Sequence, residues 1–105
     1  MSEMQVTEVR LLGGEDWIHV ETLCRLSGLR LEVLVELTEL GVLAPRGDAP
    51  AEWQLPASSV VPLGTMGRLI RDLDVNASGA AIIVELLEAR RRLEERIREL
   101  ERRFG

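Results

Sequence analysis

The stretch SGLRLEVLVELTELGVLAP, residues 27–45, leaves a chain few options. Ser27 and Gly28 read as a turn, apolar residues recur at helical spacing from Arg30 to Leu40, Gly41 supplies a left-handed stop, and an apolar exit runs into Pro45. On a wheel of roughly 100° per residue, Val33, Leu34, Leu37 and Leu40 share one face. Glu32, Glu36 and Glu39 fall within about 60° of one another on the opposite face. Such a helix needs a core behind it and carries a stripe of carboxylates in front.

The residues around it supply that core. Val20, Leu23, Cys24 and Leu26 follow helical spacing, which predicts a short helix over Val20–Leu26, with His19 near its cap and Glu21 in its first turn, where a carboxylate suits the helix dipole. Before it, residues 4–12 alternate loosely as in a short strand, and GGED turns the chain toward Trp17. After it, VLAP and WQLP read as two extended pieces around the Gly/Pro loop RGDAPAE, a small hairpin wing carrying Trp53. ASSVVPLGTMGRLIRDL predicts a third helix with Val60, Val61, Leu63, Met66, Leu69, Ile70 and Leu73 toward the core and Pro62 either in its first turn or kinking it. A fourth helix starts near Asn76 or Ser78 and runs to the end. With only 3% aromatic residues and Gly and Pro clustered in few places, the chain is mainly α. Its 105 residues suit one domain, residues 1–75, with a C-terminal helix, residues 76–105, appended.

That last helix has its own pattern. Ile83, Arg90, Ile97 and Phe104 fall at heptad position a, and Leu86, Leu93 and Leu100 at d. Leu at every d with isoleucines at a suits a two-stranded coiled coil, and Arg90 would restrict its register. Arg96 near Glu101 of a second copy leans toward a parallel pair, although exposed pairs are worth only about 0–1 kcal/mol. Two occupants fit the seam: a second copy of the chain, giving a homodimer, or the third helix of the same chain.

Composition excludes several functions. One His, one Cys and no Tyr leave almost no material for a nucleophile, base and orienting group, so no catalytic residue and no enzyme is expected. His19 fits a cap and Cys24 a core position. LLGGED and LGTMG lack the phosphate-loop pattern and its lysine, the chain contains no Lys at all, and no metal-ligand spacing occurs, so neither cofactor nor metal is expected. There is no secretory pattern and no apolar run near eighteen residues, which predicts a cytoplasmic protein without membrane contact. A net charge of −5 opposes attraction to nucleic acid.

The run HVETLCRLSGLRLEVLVELTELGVLAP, residues 19–45, resembles the helix-turn-helix of MerR-type regulators, and the residues from Trp53 onward resemble their wing and following helices. The resemblance implies a MerR-like winged helix-turn-helix with a small β-wing and a long C-terminal helix. In those regulators the second helix carries a run such as V-S-V-R-T-L-R-Y-Y, whose arginines and a tyrosine face DNA; Glu32, Val35 and Glu36 stand in the matching places here. The reading face has changed sign.

Within that superfamily LCRLSGL, the ELGVLAP exit, the Trp53 strand and RLIRDLDVN with the following GAAIIVELLE resemble the CbpM chaperone-modulator family over about residues 17–104. This implies a small dimeric protein that binds the J-domain of a CbpA-type, DnaJ-like co-chaperone and prevents it from stimulating DnaK. J-domains offer a basic helix, which makes the acidic stripe the first candidate for contact: Glu32, Glu36 and Glu39, supported by Asp16 and Glu21. A solvated helix face is the competing reading of those acids.

Two other functions compete. A small DNA-binding regulator could use Arg25, Arg30, Arg46, Arg68 and Arg71 as a basic patch, but residues 15–40 hold six acids (Glu15, Asp16, Glu21, Glu32, Glu36, Glu39) against Arg25 and Arg30, a balance of −4. DNA is therefore an unlikely partner. An oligomerisation adaptor would act through residues 83–105 alone.

Overall fold

A computed structural model describes residues 16–105; the strand expected at 4–12 lies outside them. Strand β1 (Trp17–His19) leads directly into helix α1 (Val20–Ser27), a left-handed Gly28 turns the chain into α2 (Leu31–Glu39), and a loop with one turn of 3-10 helix at Pro50–Glu52 reaches β2 (Gln54–Pro56). A second short turn at Ala57–Ser59 precedes α3 (Val60–Leu73), and α4 (Ala77–Phe104) completes the chain. The fold is mostly helical with one small antiparallel sheet.

Several helix ends have a local cause. His19 caps α1, its Nδ1 accepting a hydrogen bond from the Glu21 amide at 3.1 Å. At the other end the Gly28 amide donates to the Cys24 carbonyl at 2.9 Å from a backbone with φ 75°, which an L side chain resists. α2 closes with a paired arrangement: the Gly41 amide donates to Thr38 at 3.0 Å and the Val42 amide to Leu37 at 2.9 Å, satisfying two terminal carbonyls. α4 opens on Asn76, whose Oδ1 accepts from the Gly79 amide at 2.7 Å.

The core is built on Leu23 of α1, Leu34 and Leu37 of α2, Leu55 of β2 and Leu63 of α3, all fully buried, with Ala77, Ala80 and Val84 from the first turns of α4 packed against them. α1 packs most extensively on α3. That crossing is tight because Gly67 of α3 is buried against the Ser27 carbonyl; a Cβ there would run into it. Buried Ser27 keeps its hydroxyl satisfied by donating to the Leu23 carbonyl at 2.6 Å and accepting from the Leu29 amide at 3.2 Å.

Two expectations change. The wing is a single bridge, Arg46 with Gln54, and the partner of β2 is β1, in the register Trp17 to Pro56, Ile18 to Leu55 and His19 to Gln54. Pro45 has no N–H, so the pairing of the VLAP segment cannot extend back beyond Arg46, whereas Trp17–His19 offers a full set of donors. Val61 and Leu73, expected in the core, are 58% and 67% exposed. Val61 points well away from Leu63 around α3, and Leu73 lies in the final residue of the helix, beside the left-handed Asp74 (φ 55°).

Candidate protein-interaction surfaces

The first surface is acidic and lies across α1 and α2. Glu21 in the first turn of α1 and Glu32, Glu36 and Glu39 along α2 are all exposed, and Asp16, also exposed, precedes β1 with its carbonyl accepting from the Ala57 amide at 2.8 Å. Cys24, half-buried, reports on how the two helices meet. Burial pushes its thiol above the ordinary value, and the carboxylates of Glu32 and then Glu21 push it further in the same direction. Glu21 and Glu32, on different helices, thus both act on this one thiol, and Glu36 and Glu39 follow Glu32 along α2.

These carboxylates have no ion-pair partner among the described residues. Stability alone does not ask for such an arrangement. Like charges three or four residues apart on a helix cost about 0.2–0.5 kcal/mol per pair. Glu32 suits the N-terminal end of α2, but Glu39 sits in its last turn, which holds no basic residue and where a negative charge opposes the dipole.

Three of the five arginines that a DNA reader would use, Arg46, Arg68 and Arg71, make contacts within the chain. Arg46 stacks on Trp17, its guanidinium carbon 4.0 Å from the ring centre, and its Nε donates to Gln54 Oε1 at 3.2 Å. Arg71 pairs with Asp72 at 3.3 Å, and Arg68 donates to Thr65 Oγ1 at 3.2 Å. The stack of Arg46 on Trp17 had no signal in the sequence, since it joins the loop to β1 across the sheet.

The second surface is the outer face of α4, about 42 Å long at 1.5 Å per residue over 28 residues. Ala77, Ala80 and Val84 turn one side of the helix to the core. The opposite side carries Ile82, Leu86 (64% exposed), Leu93 (65%), Ile97, Leu100 and Phe104 (84%). This stripe does not pack against α3. The burial of Ala80 and Val84 sets the rotation of α4, so Ile82 rather than Ile83 stands on the stripe; Ile83 is half-buried. Arg90 lies beside the stripe, exposed, with its Nε 3.4 Å from Glu94 Oε2 on its own helix.

At its upper end the stripe meets a groove of about 1150 Å³ between the α2 exit, the start of α3 and α4, where Leu40, Val42, Val61, Pro62 and Ile82 form apolar walls and Glu85 a charged one. Among the described residues no group of His, Cys, Asp and Glu is arranged to hold a metal, and no helix is long and apolar enough to cross a membrane.

Comparison with known proteins agrees with this architecture. The model of the MerR HTH family regulatory proteins matches residues 18–102. A chaperone modulatory protein CbpM of Coxiella burnetii is 31% identical over 85 residues, covering 81% of this chain and 80% of that protein. The proteins of the same name from Pseudomonas entomophila and Pseudomonas putida are 28% and 26% identical over 88 residues, covering 84% of this chain and 87% of each. These are names of non-enzymatic kinds of protein.

Proposed function

Since the chain belongs to the CbpM chaperone-modulatory family, built on the MerR-type helix-turn-helix, we propose that it binds the J-domain of a CbpA-type co-chaperone through the acidic α1–α2 face and thereby prevents stimulation of DnaK. The observation that carries this reading is a line of exposed glutamates without ion-pair partners among the described residues, on the two helices that a DNA-binding relative would use, ending in Glu39 where α2 itself would favour a cation. A basic helix of the J-domain relieves that repulsion. Complementary charge speeds encounter and excludes wrong partners, while apolar contacts beside the acids supply most of the affinity. Glu32, Glu36 and Glu39 form the centre of the contact, with Glu21 beside them and Asp16 in support. The protein acts in the cytoplasm as a homodimer joined through the outer face of α4.

The same carboxylates oppose DNA binding, because each turns repulsive what an arginine would make a phosphate or base contact. Calorimetric titration into the isolated J-domain and into duplex DNA separates the two functions. We expect saturable binding to the J-domain, weakening as salt rises, and none to DNA. Exchange of Glu32, Glu36 and Glu39 together for Lys should abolish J-domain binding with the helical circular dichroism unchanged. Unaltered affinity in that variant would remove the face from the mechanism.

A further inference from the structure

α1 is capped by a histidine, at a position where helices ordinarily use Ser, Thr, Asp or Asn. The difference matters at mildly acid pH, because an imidazole nitrogen accepts a hydrogen bond only while it carries no proton, whereas those oxygens go on accepting. We propose that His19 makes the start of α1 a pH switch: protonation of its ring releases the cap and thereby loosens the hold of the acidic face on its basic partner. The second half of the proposal rests on the function proposed above and adds its regulation.

The junction of β1 and α1 offers one acceptor to each donor. The Val20 amide donates to the Trp53 carbonyl at 2.8 Å, and the Glu21 amide donates to His19 Nδ1 at 3.1 Å. A neutral ring in this arrangement carries its proton on Nε2. A second proton enters on Nδ1 and sets one N–H against another, so the ring must swing away and the Glu21 amide turns to water. The positive charge also opposes the dipole at this end of α1. His19 is exposed, so the proton reaches it without unfolding.

Four charged residues lie on the elements that meet at His19: Asp16 before β1, Glu21 in α1, Glu52 beside Trp53, and Arg46. Gln54, opposite His19 in the sheet, is neutral and holds Arg46 through its Oε1. The carboxylates favour a cationic ring; the cap, the dipole and Arg46 oppose it. Asp16 and Glu21 belong to the acidic face, so a cation between them in the chain cancels part of the potential that draws a basic helix. A first turn without its cap also no longer fixes Glu21. Both effects have one sign: the cap and the full attraction are present at about pH 7.5 and are lost toward about pH 5.5, across the range in which histidine ordinarily titrates.

His19 is the single histidine of the chain, which makes the test direct. Heteronuclear NMR of the full-length protein reads the ring tautomer and the Glu21 amide in one sample. We expect the Nε2–H tautomer at the higher pH and a Glu21 amide resonance that follows ring protonation. The Nδ1–H tautomer, or a Glu21 amide indifferent to the ring, would overturn the switch. His19→Asn keeps an oxygen cap at both pH values, so its thermal midpoint should fall less on acidification than that of the unaltered chain. Calorimetric titration of both proteins into the isolated J-domain then reads the coupling. The affinity of the unaltered chain should fall about fivefold between the two pH values, and that of His19→Asn distinctly less. Protonation of the J-domain itself acts equally on both proteins and cancels in the comparison. Equal losses would overturn the coupling of the cap to binding. Absence of binding at either pH would overturn the J-domain as partner, while the tautomer and the Glu21 amide still decide the switch.

Discussion

The two halves of α4 solve opposite problems with the same backbone. Its first turns bury Ala77, Ala80 and Val84, small side chains that let the helix lie close to α2 and α3. From residue 91 onward every residue is exposed, yet this half carries Leu93, Ile97, Leu100 and Phe104. Local pairs such as Arg91 with Glu95 at 3.3 Å and Arg103 with Glu99 at 3.5 Å support helix formation there, at a few tenths of a kcal/mol each. Apolar character alone therefore does not say where a residue is buried. The first half is covered by its own chain, and the second is left exposed by it.

Paired truncations should show the difference at its largest. Leu34 is fully buried, and Leu34→Ala should cost about 2–5 kcal/mol in urea unfolding at any protein concentration. Leu93→Ala should change the unfolding of dilute protein by no more than about 0.5 kcal/mol, and should become costly only at concentrations where copies associate. A concentration-independent loss at Leu93 would mean that the stripe is covered within one chain.

Two glycines sharpen the contrast on a smaller scale. A Cβ at Gly67 meets the Ser27 carbonyl, so Gly67→Ala must push α1 and α3 apart, at about 1–3 kcal/mol. Gly41 has φ 80° with nothing within 4 Å of a Cβ, so Gly41→Ala should cost only the conformational penalty, about 1 kcal/mol. Chemical denaturation of the two variants measures both. A second-site change of Ser27 cannot relieve the Gly67 effect, because the obstacle is backbone.

What could be read from the sequence follows the range of each signal. The His19 cap, the Gly41 stop, the Asn76 start and the acid stripe on α2 depend on neighbours within a turn or two, and these were legible. The pairing of Trp17–His19 with Gln54–Pro56 was not, because three-residue strands show no alternation and their partners lie far apart along the chain. Periodicity placed Val61 and Leu73 on a buried face without showing where that face ends. Ile82 and Ile83 are adjacent, and the choice between them rests on the rotation that Ala80 and Val84 impose. That Glu21 and Glu32 both act on Cys24 likewise depends on how α1 and α2 cross.

That crossing can be tested without any partner, through an effect smaller than the others. The Cys24 thiol is raised first by burial and then by Glu32 and Glu21. Removing a neighbouring negative charge makes thiolate easier to form, and the thiolate is the form that alkylating reagents attack. Glu32→Gln should therefore speed alkylation at mildly alkaline pH, Glu21→Gln should do so less, and the difference should vanish once the pH is high enough to ionise the thiol fully. Burial remains the larger cause, so both variants should still react more slowly than an unfolded chain. An unchanged rate in Glu32→Gln would separate α1 from the α2 acids and divide the proposed J-domain surface in two. Slower alkylation of the unaltered chain when J-domain is added would place the partner over the junction of the two helices.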